Sequence, residues 1–467
     1  MSLWTWKAEA IPLHPSKRGT VNNHSPPKVL IKISLTIQIK GVRSLINSHK
    51  LIQIKQRFPS YSIEDVNGKI KTEIANLKLQ KQIKPGDSIA ITAGSRGITD
   101  INVITRTVID ELIKLQGKPF IIPAMGSHGG ATVSGQLKVL EGYGITEKKM
   151  GVPIKATMDV VKIGESNNGI PVYIDKNVIN ADHVIAINRI KPHTRFAGEV
   201  ESGLIKMLLV GLGKDVGARA YHRAIMKNTF DLIVESALPF VLSKLSVLFG
   251  LAIIENAYGK VADISAMRGE DIIKKEPVLK KKSSELMAKL PFRNIDLLII
   301  DNMGKDISGT GMDTNIIEHK DENSSKAPNE GAGISRIFVR DLTPNSHGNA
   351  CGIGLADFTT QKLVNKINFQ ETYINCVTAL RPEGAKIPIT FECDKDAIEA
   401  AGSTCSIENP DDMKIVWIKS TLDLEKVIVS EGYLDDLNGR DNFEQTSSAR
   451  EITFDSSGNL PLFDMWG

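Results

Sequence analysis

From about Leu51 onward, short apolar runs alternate with segments whose apolar residues recur every three or four positions. SIAIT, residues 88–92, reads as a strand, and AGSRGITD, residues 93–100, as the glycine-bounded turn that ends it. A helix is predicted next, with Thr99 or Asp100 as N-cap, Ile101, Ile104, Val108, Leu112 and Leu115 along one face, and Gly117 as its stop. Two more strands follow the same plan: PFIIPAM runs into GSHGG, and HVIAIN runs into RIKPHT. Strands that alternate with helices predict a mainly parallel sheet covered on both faces. A second unit of this kind opens at NIDLLIID, residues 294–301, whose strand runs into NMGKDISGTGMD. The expected architecture is α/β: two α/β domains with mainly parallel sheets and an active-site cleft between them. Their expected bounds are residues 51–275 and 290–467, behind an N-terminal extension of residues 1–50. The charged segment from Arg268, RGEDIIKKEPVLKKKSSE, is the expected connection, and ENSSKAPNEGAG an exposed loop.

A chain of 467 residues exceeds one ordinary core, which agrees with two domains. With 41% hydrophobic and 24% charged residues and no run of eighteen apolar positions, no membrane span is expected. The net charge of +4 is small, and the basic residues are scattered rather than interleaved with aromatics, so nucleic acid is not indicated as a partner. Cys351, Cys376, Cys393 and Cys405 form no CxxC pair. Neither a disulfide framework nor a thiolate zinc site is readable, and a reducing cytoplasm is the expected location. The first thirty residues lack the compact apolar core of a secretory signal and read as an extension.

In parallel α/β sheets, ligands collect at the carboxyl ends of the strands. Three such ends deliver Ser95 and Arg96, then His128, then His193. The AGSRGITD turn places backbone N–H groups at a helix start with Arg96 beside them, which suits a phosphate or carboxylate. Its glycine pattern is not GxGxxG, so a purely structural turn stays open. His128 lies among small residues, and His193 follows Pro192 with Lys191 and Arg195 nearby; each is a candidate acid or base, or a structural histidine. His222 has no neighbour at HxxxH spacing, so a metal site using it requires tertiary closure. Lys206 stands between Leu204, Ile205 and the run Met207 to Val210. Either it snorkels from an amphipathic helix, or it is a desolvated amine of lowered pKa suited to covalent chemistry.

The order of these motifs carries a resemblance. An arginine after the first strand, SHGG after the second, PHT and VESGLIKM after the third, and a following YH together resemble the nickel-pincer lactate racemase family, from about Lys84 through GKDISGTGMD to SHGNACGIGLADFT. The resemblance implies a nickel-pincer nucleotide, a nicotinic-acid-derived mononucleotide joined to Lys206 as a thioamide, with His222 as the protein ligand to nickel. His128 and His193 then match the acid/base histidines, Ser95 and Arg96 contact the cofactor, and Arg96 and Lys305 contact the substrate. Cofactor-biosynthesis proteins are implied partners, and the implied substrate is a small 2-hydroxy acid racemised by removal and return of hydride. That route suits a weakly acidic α-hydrogen, because the cofactor takes the difficult step while the protein positions and moves protons.

The chain also departs from the family pattern. AGSRGI replaces an acidic DDxTRP-type turn, and the interval TRFAGEVESGLIK before Lys206 is longer, adding Glu199 and Glu201. These changes imply an acid larger or more hydroxylated than lactate, such as a sugar acid, with the two glutamates as candidate hydroxyl contacts or, for Glu199 especially, solvated loop carboxylates. Two other classes compete. One is a metal-dependent hydrolase using His128, His193 and His222 to activate water. The other is a non-catalytic protein that clamps an anionic small molecule.

Overall fold

Period-two alternation builds the first sheet, and the structure, a computed structural model, describes it within residues 49–194, 198–318, 333–407, 409 and 412–466. Most of the expected extension, Arg195, and ENSSKAPNEGAG apart from its last glycine lie outside the described residues. The chain enters on β1 (Lys50–Gln56) and continues through β2 (Ser88–Ala93), β3 (Lys118–Pro123), β4 (Val160–Glu165), β5 (Pro171–Asp175), β6 (His183–Arg189), β7 (Val247–Glu255) and β8 (Val261–Arg268). Five of these form a sheet in the order β3-β2-β6-β7-β8, parallel except for β8. On β2, Ile89 and Ile91 face one core with Ile104, Val108 and Leu112 of helix Ile101–Lys114, while Ala90 faces the other core with Leu204 and Ile205. Both faces are therefore covered by helices, as the alternation predicts. Strands β4 and β5 form a separate antiparallel ribbon.

The later strands are β9 (Ile295–Met303), β10 (Ile334–Leu342), β11 (Phe358–Thr360), β12 (Ile389–Phe391), β13 (Ile415–Ile418), β14 (Lys426–Ser430), β15 (Phe443–Gln445) and β16 (Arg450–Glu451). They form a second sheet, β12-β11-β10-β9-β13-β14-β1-β15, parallel from β12 to β13 and antiparallel beyond, with β16 also on β1.

Three local expectations change. The boundary at residue 51 assigns β1 to the first half, yet β1 pairs with β14, Ile52 opposite Val429, and buries Ile52 and Ile54 in the second core. Its apolar pattern does not say which of two distant sheets it joins, because pairing is decided by a partner about 375 residues away. The charged segment from Arg268 is no free connection: it forms helix Ile272–Leu286, whose Ile272 and Leu286 enter the first core. Asp100 precedes its helix, but with φ 58° and no side-chain cap; the Thr99 N–H instead donates to Glu255 Oε1 at 2.7 Å. Among the described residues no helix is long and apolar enough to cross a membrane.

Candidate functional site

Each loop at the carboxyl end of the first sheet is fastened by its own contacts. After β2, the Tyr143 hydroxyl donates to the Ser95 carbonyl at 2.7 Å, and Gly94 lies where a Cβ would come within 3.0 Å of Met207 Cε. After β3, Gly126, Gly129 and Gly130 adopt positive φ, so the turn leading past His128 uses backbone conformations that glycine takes without strain. After β6, Lys191 pairs with Asp313 at 2.9 Å and the Thr314 hydroxyl donates to the Thr194 carbonyl, which tie the His193 loop to the segment after β9.

Lys206 ends a short α-turn, Leu204–Lys206, that continues as a π-helical stretch, Met207–Gly211. Such wide turns are frequent at functional sites. Leu204, Ile205, Met207, Leu208 and Leu209 are buried while Lys206 keeps some exposure, so the lysine leaves the core face without reaching open solvent. Burial, and then the charge of Arg96, push its amine down to about 7. That direction agrees with the desolvated-amine alternative.

His128 is exposed to water yet has protein atoms close about it. Desolvation lowers its pKa to about 3, followed by the charges of Arg96, Lys206, Lys305 and His222. Solvent access moderates the size of that shift, but every neighbour named acts in the same direction. The fold therefore brings five of the sequence-derived candidates near one another, since the charges of Arg96, Lys206, Lys305 and His222 all act on His128. Arg96 is exposed as a residue, but its guanidinium lies against Gly309 of the GKDISGTG loop, and it makes no hydrogen bond or ion pair among the described residues. Desolvation and then Arg189 lower its pKa. Lys305 donates to the Gly309 carbonyl; burial lowers its pKa, with Cys351 opposing. Ser95 is held through its backbone, and His193 stands on the adjoining loop, where its N–H donates to Glu201 at 2.6 Å.

Glu201 is corrected from the substrate-facing role considered for it. It is buried, paired with Lys280 at 2.7 Å, and accepts from the backbone of His193. Glu199 is exposed, in keeping with a solvated loop carboxylate. Among the described residues no group of three or more His, Cys, Asp or Glu is disposed to hold a metal, so the three-histidine centre of the hydrolase alternative does not form there. Sequence reasoning missed Lys214 and Glu276. Lys214 is fully buried with φ 52°, pairs with Asp175 at 2.9 Å and donates to the Pro123 carbonyl, joining the end of β3 to the helix Lys214–Ile225 that carries His222. The only sequence signal was a lysine beside an apolar run, which Lys206 shares.

A mainly parallel sheet covered on both faces by helices defines an α/β protein. Residues 40–231 match the lactate racemase N-terminal domain. Two solved structures resemble the chain more distantly. The lactate racemase apoprotein from Thermoanaerobacterium thermosaccharolyticum has 15% identity and TM-score 0.49, over 80% of this chain and 99% of that one. A Thermotoga maritima protein has 13% identity and TM-score 0.39, over 77% and 97%. Likeness at this distance carries no functional argument. No curated protein matches the chain.

Proposed function

We infer that the protein is a 2-hydroxy acid racemase or epimerase working with a nickel-pincer nucleotide held at Lys206. The observation that carries this reading is the surroundings of His128: the charges of Arg96, Lys206, Lys305 and His222 all act on it, and Arg96 has no carboxylate partner among the described residues. A site that leaves a cation unpaired in protein surroundings is matched to an anion from outside.

The residues fit the group. An amine of pKa near 7 is substantially neutral at physiological pH and can be acylated. Arg96 suits a phosphate or carboxylate, and one imidazole, His222, suffices where a cofactor brings its other metal donors itself. When bound, the group supplies the metal and the hydride-accepting carbon that transfer at the substrate α-carbon requires. Arg96 and Lys305 then hold the substrate carboxylate and orient the carbon. His128 takes the hydroxyl proton from one enantiomer at an imidazole nitrogen, and His193 does so from the other. A pKa near 3 is low for such a base, but acylation of Lys206 ends whatever charge that amine carries and bound anions offset the other cations, which moves His128 upward toward its ordinary 6.5. Cofactor-biosynthesis proteins would load the site, in the cytoplasm. The preference for a larger hydroxy acid now rests on Gly94 and Ser95, since Glu201 is engaged elsewhere.

The test is the intact mass and nickel content of protein from its native host, followed by a panel of 2-hydroxy acids in deuterium oxide. Mass added at Lys206, nickel, and inversion with retained α-hydrogen support the reading. Binding of these acids without turnover in loaded protein would favour the non-catalytic alternative. In unloaded protein, saturating inorganic phosphate should raise the NMR-detected pKa of His128 by about one unit; no movement would remove His128 from the anion site.

A further inference from the structure

Helix Ile272–Leu286 touches the site twice through side chains that function has not yet used. Glu276, 1% exposed, accepts from the Ile205 N–H at 3.0 Å, at the start of the segment ending in Lys206. Its other oxygen, Oε1, is buried without a hydrogen-bond partner and lies 2.3 Å from where a Cβ on Gly203 would be. That contact explains the glycine in ESGLIK: the carboxyl occupies the space of a side chain. One turn on, Lys280 pairs with Glu201 at 2.7 Å and donates to the Gly198 carbonyl, and Glu201 accepts from His193 N–H. The Ser283 hydroxyl donates to the Ile190 carbonyl at 2.8 Å, three residues before His193.

We propose that this helix is a positioning strut: Glu276 aims the segment that carries Lys206, and Lys280, through Glu201, holds the backbone of His193. The functional meaning rests on the racemase reading, but the geometry stands without it. A carboxyl on an orphan backbone N–H group is an unusually specific way to fix a short turn, since it binds the turn from another element rather than from its own N-cap. Burial pushes Glu276 up to about 7, opposed by the N–H groups of Ile205 and Leu204, so the neutral acid is accessible in this environment.

The experiment uses the full chain without cofactor or substrate and follows acylation of Lys206 by acetic anhydride, read by peptide mass. A racemase can therefore fail this test, and a protein that never racemises can pass it. Glu276→Gln keeps an acceptor of the same shape and should label within about twofold of the parent. Glu276→Asp and Glu276→Ala withdraw it; Lys206 then relaxes toward water, its labelling midpoint moves upward from about 7, and the rate near neutral pH falls by about threefold or more. Folded Glu276→Asp or Glu276→Ala protein with parental labelling overturns the proposal. Should neither fold, hydrogen exchange of the parent decides: protection of the Leu204 and Ile205 amides by about a hundredfold or more is expected, and exchange at unprotected rates overturns it. Lys280→Met should change carbethoxylation of His193 by about threefold while leaving Lys206 unchanged; an unchanged His193 removes that arm of the strut.

Discussion

The two sheets treat buried charge in opposite ways. In the second, Arg340 pairs with Asp301 at 2.6 Å and Asp394 at 2.7 Å, while Trp417 Nε1 and the Phe463 N–H also donate to Asp301 and the Leu460 N–H to Asp394. Every charge there is answered from within the chain, and the network joins β9, β10, β13 and the C-terminal segment. At the carboxyl end of the first sheet, Arg96 has no such answer, and Arg96, Lys206, Lys305 and His222 all depress the pKa of His128. Other basic residues on the neighbouring loops are matched: Lys191 by Asp313, Lys214 by Asp175, Lys280 by Glu201. A closed network is architecture, whereas an arginine without a matching carboxylate among the described residues invites an anion from outside.

The largest effect expected concerns Lys206. Lys206→Ala should reduce racemisation by the loaded protein to background and abolish cofactor retention, with circular dichroism unchanged; full turnover with retained nickel would return the lysine to an ordinary surface role. Arg340→Met and Arg96→Met set the two regions against each other. The first strands two buried carboxylates and should cost about 3–5 kcal/mol in denaturant unfolding. The second should alter stability by no more than about 0.5 kcal/mol while weakening anion binding about tenfold or more, and equal destabilisation by both would erase the contrast.

A third test uses pH. Burial lowers Lys206 from 10.5 to about 7, so between those values the unfolded chain binds more protons and stability rises with pH. The penalty is fully present below about 7 and relieved as pH approaches 10.5. Lys206→Met should therefore raise Tm most at about pH 6 and least near pH 11 in the unloaded protein. A gain independent of pH would mean improved packing alone. The smallest effect is a pair on one loop: Glu199→Ala, at an exposed position, should stay within about 0.5 kcal/mol, whereas Glu201→Ala leaves Lys280 unpaired and should cost about 1–3 kcal/mol, both read by thermal melts.

What the sequence determined by itself was local and periodic. The strands at 88–93, 118–123, 183–189 and 295–303, the helix from Ile101, and the delivery of Arg96, His128 and His193 to strand ends follow from apolar spacing and glycine punctuation, because these depend on neighbours a few residues apart. The resemblance added Lys305 and implied roles for Lys206 and His222, which the residues alone left open. Only the tertiary structure decided which charges are answered. Glu201 and Glu199 look alike in sequence, two residues apart, yet one is buried against Lys280 and the other exposed. Lys214 borders the same apolar run as Lys206, and folding alone brings Asp175 to it. Glu276 reads as one charge in a solvated segment, yet it is a buried carboxyl on the Lys206 turn, seventy-one residues away. Pairing across such separations is set by the closing of the chain, and a charge in sequence carries no record of the partner that folding brings to it.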